Sequence, residues 1–353
     1  MLDTDKFVDR LSSSGYSHLC VVPCSFAKYL INSSINSSKK LEYLPCASEA
    51  VACSTAAGLK ISGMRPIVIV QSSGLTNMGS CITSMLVPYN INFPIIVSWR
   101  TYNEGDSEIQ HQHLATRLPD LVEAYGYSYT VLNNTDMDIA INQILECEKT
   151  NKICLLKKET FSRVDLKKEN QLDISVYPKR SEYLKELNKR YKKTDVVFVG
   201  TTGNAAREMY SFMPDTKNFY MAGNMGGALS VGLGAAKSGK EVIVCGGDAE
   251  FVMHLGGLAT TGRYLDEIKL TYIMFDNESN KSTGGQNTYQ NHINYEAIAK
   301  ACNFETKETI FNLVDFSQEL ENTNKKSVFL HVKCSYDEET PRPPIKEVRK
   351  NRL

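Results

Sequence analysis

Two short motifs at the ends of apolar runs carry the most chemical content in this sequence. Gly247-Asp248-Ala249 closes the run Glu241-Val242-Ile243-Val244-Cys245, and Asp276-Asn277 closes Leu270-Thr271-Tyr272-Ile273-Met274-Phe275. Runs of this length, bounded by Gly or Asp, read as short buried strands. A carboxylate and an amide are therefore predicted at the ends of two strands, with helical sequence between them. The carboxyl ends of strands in an open parallel sheet are where ligands bind. A carboxylate with an amide oxygen is a hard-oxygen donor set, suited to Mg²⁺ carrying a phosphorylated ligand.

A second chemical feature lies in the first half. Ala47-Ser48-Glu49-Ala50-Val51-Ala52-Cys53-Ser54-Thr55-Ala56-Ala57-Gly58 is dominated by small residues, and Glu49 is the only charge between Leu44 and Leu59. One reading is a helix start whose carboxylate complements the macrodipole. The other is a glutamate facing an apolar cleft, placed to share a proton with a ring nitrogen.

The elements that position these groups follow from periodicity. His18 to Val22, Pro66 to Val70, Phe93 to Trp99, Asp195 to Val199, Glu241 to Cys245, Leu270 to Phe275 and Ser327 to Val332 are strand-like runs that alternate with helical patterns. That alternation predicts βαβ units and a mainly parallel sheet flanked by helices in each half. The charged stretch around residues 157–192 has linker composition. The predicted organisation is a first domain over 1–165, a linker over 166–190 and a second domain over 191–353. No residue-level repeat links the halves, so their kinship is architectural.

Composition narrows the function classes. The 353 residues hold 40 Lys plus Arg against 40 Asp plus Glu, so nothing points to nucleic acid or an anionic membrane as partner. No apolar stretch reaches membrane-spanning length, and Met1-Leu2-Asp3-Thr4-Asp5 lacks the character of a secretory signal. The ten cysteines are scattered, and Cys20, Cys53, Cys81, Cys154 and Cys245 lie in apolar runs as reduced core thiols do. The chain reads as cytoplasmic.

The ordered set of motifs resembles a known family. Gly247-Asp248-Ala249 with Asp276-Asn277 resembles the metal and diphosphate motif of thiamine diphosphate enzymes, with Ala249 in place of the last Gly and Asp276 in place of the first Asn. Glu49 with its small-residue helix, then Gln71-Ser72-Ser73-Gly74-Leu75-Thr76-Asn77, Trp99-Arg100 and Glu108-Ile109-Gln110-His111, run in the order seen in phosphonopyruvate decarboxylases. In the second half Gly200-Thr201-Thr202-Gly203, Gly223-Asn224-Met225-Gly226, and Ser282-Thr283-Gly284-Gly285-Gln286 continue the match. The chain is also similar to sulfopyruvate decarboxylases, whose two domains can be separate chains.

The resemblance implies two tandem thiamine diphosphate-binding domains, with thiamine diphosphate and Mg²⁺ as cofactors. It implies that Glu49 activates the aminopyrimidine ring, and that Asp248, Asn277 and the Ser279 carbonyl hold Mg²⁺ on the diphosphate. Gly223 would accept from the ring amino group and Met225 would wedge the cofactor bent, although a Met there also serves as core filler. Gly74, Gly247, Ala249, Thr201, Thr202, Gly203, Ser282 and Thr283 would contact the cofactor, the Gly-rich segments letting N–H groups approach phosphate. The family shares each cofactor between subunits, which implies a homodimer or homotetramer.

The implied reaction is non-oxidative loss of CO₂ from a small 2-oxo acid, giving an aldehyde. His111 is a candidate proton handler, against which stands the polar stretch Asn103 to His113, where solvated loop residues are usual. Arg100 is the leading candidate for an acidic group on the substrate, with Ser25 beside it and Arg207, Arg263, Lys281 and Arg342 as further cations. Cys24 in Val22-Pro23-Cys24-Ser25 and Gly227 after Met225-Gly226 depart from the family pattern near the expected pocket. Three readings stay open: a phosphonopyruvate decarboxylase, a sulfopyruvate or other 2-oxo acid decarboxylase or carboligase, and a non-enzymatic assembly subunit of the same fold.

Overall fold

The computed structural model describes residues 1–37, 41–102, 108–281, 283–322, 327–336 and 340–349. Ser282, expected at the diphosphate, lies outside them. The strands are β1 His18–Val21, β2 Glu42–Pro45, β3 Pro66–Gln71, β4 Ile95–Ser98, β5 Ser128–Val131, β6 Lys152–Leu156, β7 Val197–Gly200, β8 Lys217–Tyr220, β9 Glu241–Gly247, β10 Lys269–Asp276, β11 Glu305–Thr306 and β12 Val328–Lys333. They form two six-stranded sheets, ordered β2-β1-β3-β4-β6-β5 and β11-β12-β10-β9-β7-β8. All pairings within the two sheets are parallel.

Numbered from its own first strand and read from the other edge, the second sheet has the same connectivity as the first, 2-1-3-4-6-5. The architectural kinship expected from the sequence is thus a shared wiring. In each sheet the chain reverses its direction of winding between the first and third strands, the kind of position where a crevice opens at the carboxyl ends.

The chain divides into two compact units, residues 1–171 with 283–287, and residues 172–282 with 288–353. In the first, the central strands are buried on both faces, as parallel strands covered by helices must be. Alternation sorts them into two cores. Leu19, Val21, Ile67, Ile69, Ile96 and Leu156 pack on one side. Cys20, Val68, Val70, Ile95, Val97, Ile153 and Leu155 pack on the other. In the second unit Phe198, Ile243, Ile273, Phe275, Val328 and Leu330 share one core.

The stretch expected to be a linker, 166–190, runs into the helix Arg180–Tyr191, which buries Tyr183, Leu184 and Leu187 in the second unit's core. Part of its charge, Glu182, Lys185 and Lys189, is the outer face of that helix, which composition alone does not separate from a tether. Residues 283–287, expected in the second domain, group with the first unit, where the buried Gln286 Nε2 donates to Asn32 Oδ1 at 2.9 Å. All ten cysteines are free, and Cys81 is half-buried rather than in the core. Among the described residues no helix is long and apolar enough to cross a membrane.

Candidate active site

In the first unit four adjacent strands, β2, β1, β3 and β4, deliver the candidate residues from their carboxyl ends. Glu49 opens the helix Glu49–Ile61, whose N-cap Ser48 accepts from Val51 N through its side chain. Ala52, Cys53, Ala56 and Ala57 are buried against the sheet, small enough to let the helix axis approach it. Glu49 itself is only 3% exposed, and its Oε2 accepts from Asn77 Nδ2 at 2.9 Å. Gly74, just after β3, closes the other side: a Cβ there would sit 2.4 Å from Glu49 Oε1. Only glycine allows that approach.

A second cluster forms beside it. Arg100 follows β4 and is buried. Its Nη1 donates to Ser25 Oγ and its Nη2 to Glu108 Oε2. Its plane lies over Phe26, 4.4 Å to the centroid, and among the described residues its buried Nε has no hydrogen-bond partner. His111 Nε2 is 3.4 Å from the same Glu108 oxygen. The sequence-predicted Ser25, Arg100 and His111 are thus brought together, with Glu108 joining them.

His111 is buried in the helix Ile109–Ala115, not solvated as its polar neighbourhood suggested, whereas His113 is exposed. The cause is Trp99, whose Nε1 donates to Ala115 O at 2.7 Å and pins the helix over the end of β4. Cys24 is buried nearby, its Sγ 2.8 Å from Ser98 Oγ, and burial pushes its thiol up.

In the second unit β8, β7, β9 and β10 are again four neighbours with loaded carboxyl ends. Thr201, Thr202 and Gly203 follow β7, and Gly203 takes a φ of +84° as the next helix begins. Thr202 Oγ1 donates to Ala222 O at 2.8 Å, tying that turn to the Gly223-Asn224-Met225-Gly226 segment. Met225 is half-buried. Gly226 has φ +90°, and a Cβ there would come within 2.7 Å of the His254 ring.

Strands β9 and β10 pair so that Phe275 faces Gly247, which sets Asp248 beside Asp276 and Asn277. Asp248 is 4% exposed. Burial, and then the neighbouring Asp276 charge, push its carboxyl up to about 7, and the hydrogen bond from Thr288 Oγ1 at 3.2 Å does not offset them. Asn277 Oδ1 accepts from Ser279 N at 3.1 Å, and the buried Ser279 Oγ has no partner among the described residues.

Comparison with known proteins decides what this geometry belongs to. The model of the N-terminal TPP binding domain of thiamine pyrophosphate enzymes matches residues 4–120, and that of the C-terminal TPP binding domain matches residues 199–333. The sulfopyruvate decarboxylase subunit beta of Methanocaldococcus jannaschii is 36% identical over 149 residues, 42% of this chain and 78% of the relative. The chain belongs to the thiamine pyrophosphate-dependent decarboxylase family.

Relatives spanning both halves agree on its type. The phosphonopyruvate decarboxylase of Streptomyces viridochromogenes is 29% identical over 339 residues, covering 91% of this chain and 85% of the relative. The sulfopyruvate decarboxylase of Methanosarcina acetivorans is 26% identical, covering 84% and 82%. This is a thiamine pyrophosphate-dependent decarboxylase of the phosphonopyruvate and sulfopyruvate type. Its own residues fit that cofactor, thiamine diphosphate. A buried carboxylate whose charge lacks a cationic partner among the described residues, an amide and an orphaned hydroxyl form an all-oxygen set suited to a hard cation that carries a diphosphate. Among the described residues no group of three or more His, Cys, Asp or Glu competes as a metal centre.

Around Asp276 the structure gathers charged residues that sequence reasoning did not single out. Asp276 accepts from Lys333 Nζ at 3.0 Å and sits 2.9 Å from His331 Nε2, while His331 Nδ1 is 2.8 Å from Glu296 Oε1. Burial raises the Asp276 carboxyl, but His331 and Lys333 outweigh it and hold it below its usual range. Burial lowers the His331 imidazole, and its two carboxylate partners outweigh that and raise it. Glu250 is buried too, its Oε1 accepting from Ala228 N at 3.1 Å and its Oε2 from Gly247 N at 3.3 Å. One signal was available: His331 and Lys333 alternate along an otherwise apolar strand, so both face away from the core that takes Val332. Thr283 groups with the first unit and not with Asp248.

Proposed function

We propose that this decarboxylase converts 3-phosphonopyruvate to phosphonoacetaldehyde and CO₂, with Mg²⁺ holding the cofactor diphosphate, in phosphonate biosynthesis in the cytoplasm. The observation that carries the reading is Arg100, a buried guanidinium at the end of β4 with its Nε left open. A planar fork of this kind suits the oxygens of a phosphono group. Its charge position also separates acidic 2-oxo acids from pyruvate, which has only a methyl group there.

When bound, the cofactor supplies the electron sink that lets CO₂ depart. The chain's residues prepare and protect that step. Glu49, oriented by Asn77 and hemmed in by Gly74, would exchange a proton with the aminopyrimidine ring. Asp248 and Asn277, with Ser279, would hold Mg²⁺, and Thr201, Thr202, Gly203, Gly223, Met225, Gly247 and Ala249 would line the cofactor. His111, buried with its Nε2 3.4 Å from Glu108 Oε2, would hold the proton that the aldehyde product takes up.

The assembly proposed is a homodimer or homotetramer in which subunits share cofactors. It is supported by relatives that are themselves named as subunits alpha and beta of sulfopyruvate decarboxylase.

The test is a parallel turnover assay of purified protein with thiamine diphosphate and Mg²⁺ on phosphonopyruvate, sulfopyruvate and pyruvate. Phosphonoacetaldehyde as the preferred product supports the reading. Preference for sulfopyruvate overturns the substrate, and preference for pyruvate overturns the role of Arg100.

A further inference from the structure

We infer that Glu108 makes this site select a phosphono group over a sulfo group. The inference rests on the reading that the substrate's acid group docks at Arg100.

The Arg100 guanidinium has two fixed partners, Ser25 Oγ on Nη1 and Glu108 Oε2 on Nη2. Among the described residues, the donors left without a partner for an oxyanion are the buried Nε and the second hydrogen of Nη2, which lie on one edge. An oxyanion on that edge shares Nη2 with the Glu108 carboxylate and so lies close to it. Glu108 is 8% exposed and Arg100 likewise 8%, so little water screens the encounter. Among the described residues, Arg100 and His111 are charged or titratable groups facing Glu108, the latter at 3.4 Å through Nε2. Its positive partner is already engaged by both carboxylate and serine.

The outcome turns on whether the incoming acid carries a proton. A phosphate monoester loses its second proton near pH 6, and a phosphono group likewise still holds one over part of the near-neutral range. Its P–OH can donate to Glu108 while its two other oxygens accept from Arg100 Nε and Nη2. A like charge alongside favours that protonated form. A sulfo group is a strong acid with no proton to give. Each of its oxygens is an acceptor, and one of them meets a carboxylate that is also only an acceptor. A buried site built to receive a hydrogen bond rejects the analogue that cannot make it, commonly by about 100-fold or more. Discrimination by an unmatched acceptor is specificity against a competitor, not extra affinity for the substrate.

The decisive probes are 3-phosphonopropionate and 3-sulfopropionate, unreactive acids that differ only at the terminal group. They are tested as competitive inhibitors of the full-length holoenzyme. The wild type should bind the phosphono compound at least about 100-fold more tightly. In Glu108→Gln, whose amide can donate, that ratio should fall to within about tenfold, with the same collapse in the kcat/KM ratio of phosphonopyruvate to sulfopyruvate. Equal wild-type binding, or a ratio unchanged in Glu108→Gln, overturns the inference. If Glu108→Gln does not fold, the wild-type ratio decides alone. Arg100→Met separates the two levels: weaker binding of both compounds leaves the docking reading standing whatever Glu108 does, and unchanged binding of both removes that reading and this inference with it.

Discussion

Asp276 Oδ2 lies 2.9 Å from His331 Nε2, so the residue just before Asn277 is held by a neighbouring strand from the far end of the chain. Parallel pairing of β10 with β12 sets Met274 opposite His331 and Asp276 opposite Lys333, which explains why both basic groups converge on one carboxylate. Glu296 completes the cluster on the other side of the imidazole.

The pH dependence of this cluster has a definite sign. His331 is raised, so its contribution is complete below the ordinary histidine value, about 6.5, and fades as pH climbs through its higher folded value. Asp276 and Glu296 are lowered, Glu296 to about 2, so theirs are complete above the ordinary carboxylate range and fade as pH falls. All three contributions coexist at about pH 5–6. His331→Gln should therefore lower the melting temperature of the apoprotein most in that window and progressively less toward pH 9. A deficit that is constant across pH counts against the cluster.

Asp248 behaves in the opposite sense. Its carboxyl is raised to about 7, so the unliganded fold loses stability as pH climbs from the ordinary carboxylate range through that value. Asp248→Asn should melt higher than wild type at pH 8 without ligands, by about 2–4 °C for each kcal/mol relieved. The same variant should lose Mg²⁺-dependent uptake of thiamine diphosphate in calorimetry. Retained uptake would falsify the assignment of Asp248 as a cation ligand.

Glu49→Gln preserves volume and the partner Asn77 but removes the acid. Cofactor affinity should change little while kcat falls by about 10²–10⁴-fold. If cofactors are shared between subunits, mixing inactive Glu49→Gln with inactive Asp248→Asn and reassembling them should restore part of the activity. No recovery on mixing argues that each chain serves its own cofactor.

Gly74→Ala tests the close approach rather than the acid. The added methyl would meet Glu49 Oε1 at 2.4 Å, so either the helix start or the carboxylate must move. A cost of about 1–3 kcal/mol in stability is expected from such overpacking. Turnover should fall further than stability does, because the shifted group is Glu49. Full activity in a folded Gly74→Ala protein would mean that Glu49 is not held in place by this contact.

Much of this was readable from the chain, and the gaps have physical causes. Central strands such as β3 and β9 announce themselves because burial on both faces demands continuous apolar sequence. The edge strands β2, β5, β8 and β11 do not, because each is short and half-exposed, Glu42–Pro45 and Ser128–Val131 being cases in point. Within the candidate site, Glu49 stood out as the only charge between Leu44 and Leu59, and Asp248 and Asn277 because each follows an apolar run. Glu108 was visible only as part of a motif, since its pairing with Arg100 depends on a helix pinned by Trp99. His331 and Lys333 left one trace, their alternation along an apolar strand, whereas Glu296 and Glu250 meet partners that only strand pairing and loop closure supply. The linker shows the converse error, because a helix with a charged outer face has the composition of a tether.

The repeated 2-1-3-4-6-5 wiring has a genetic consequence. Each sheet closes entirely on its own residues, so a break near position 172 interrupts no backbone ladder. On the proposed roles, one half carries the acid and the other the diphosphate anchor, so either product of such a break would be inert by itself. On those roles, splitting the reading frame would be tolerated only where both cistrons stay together.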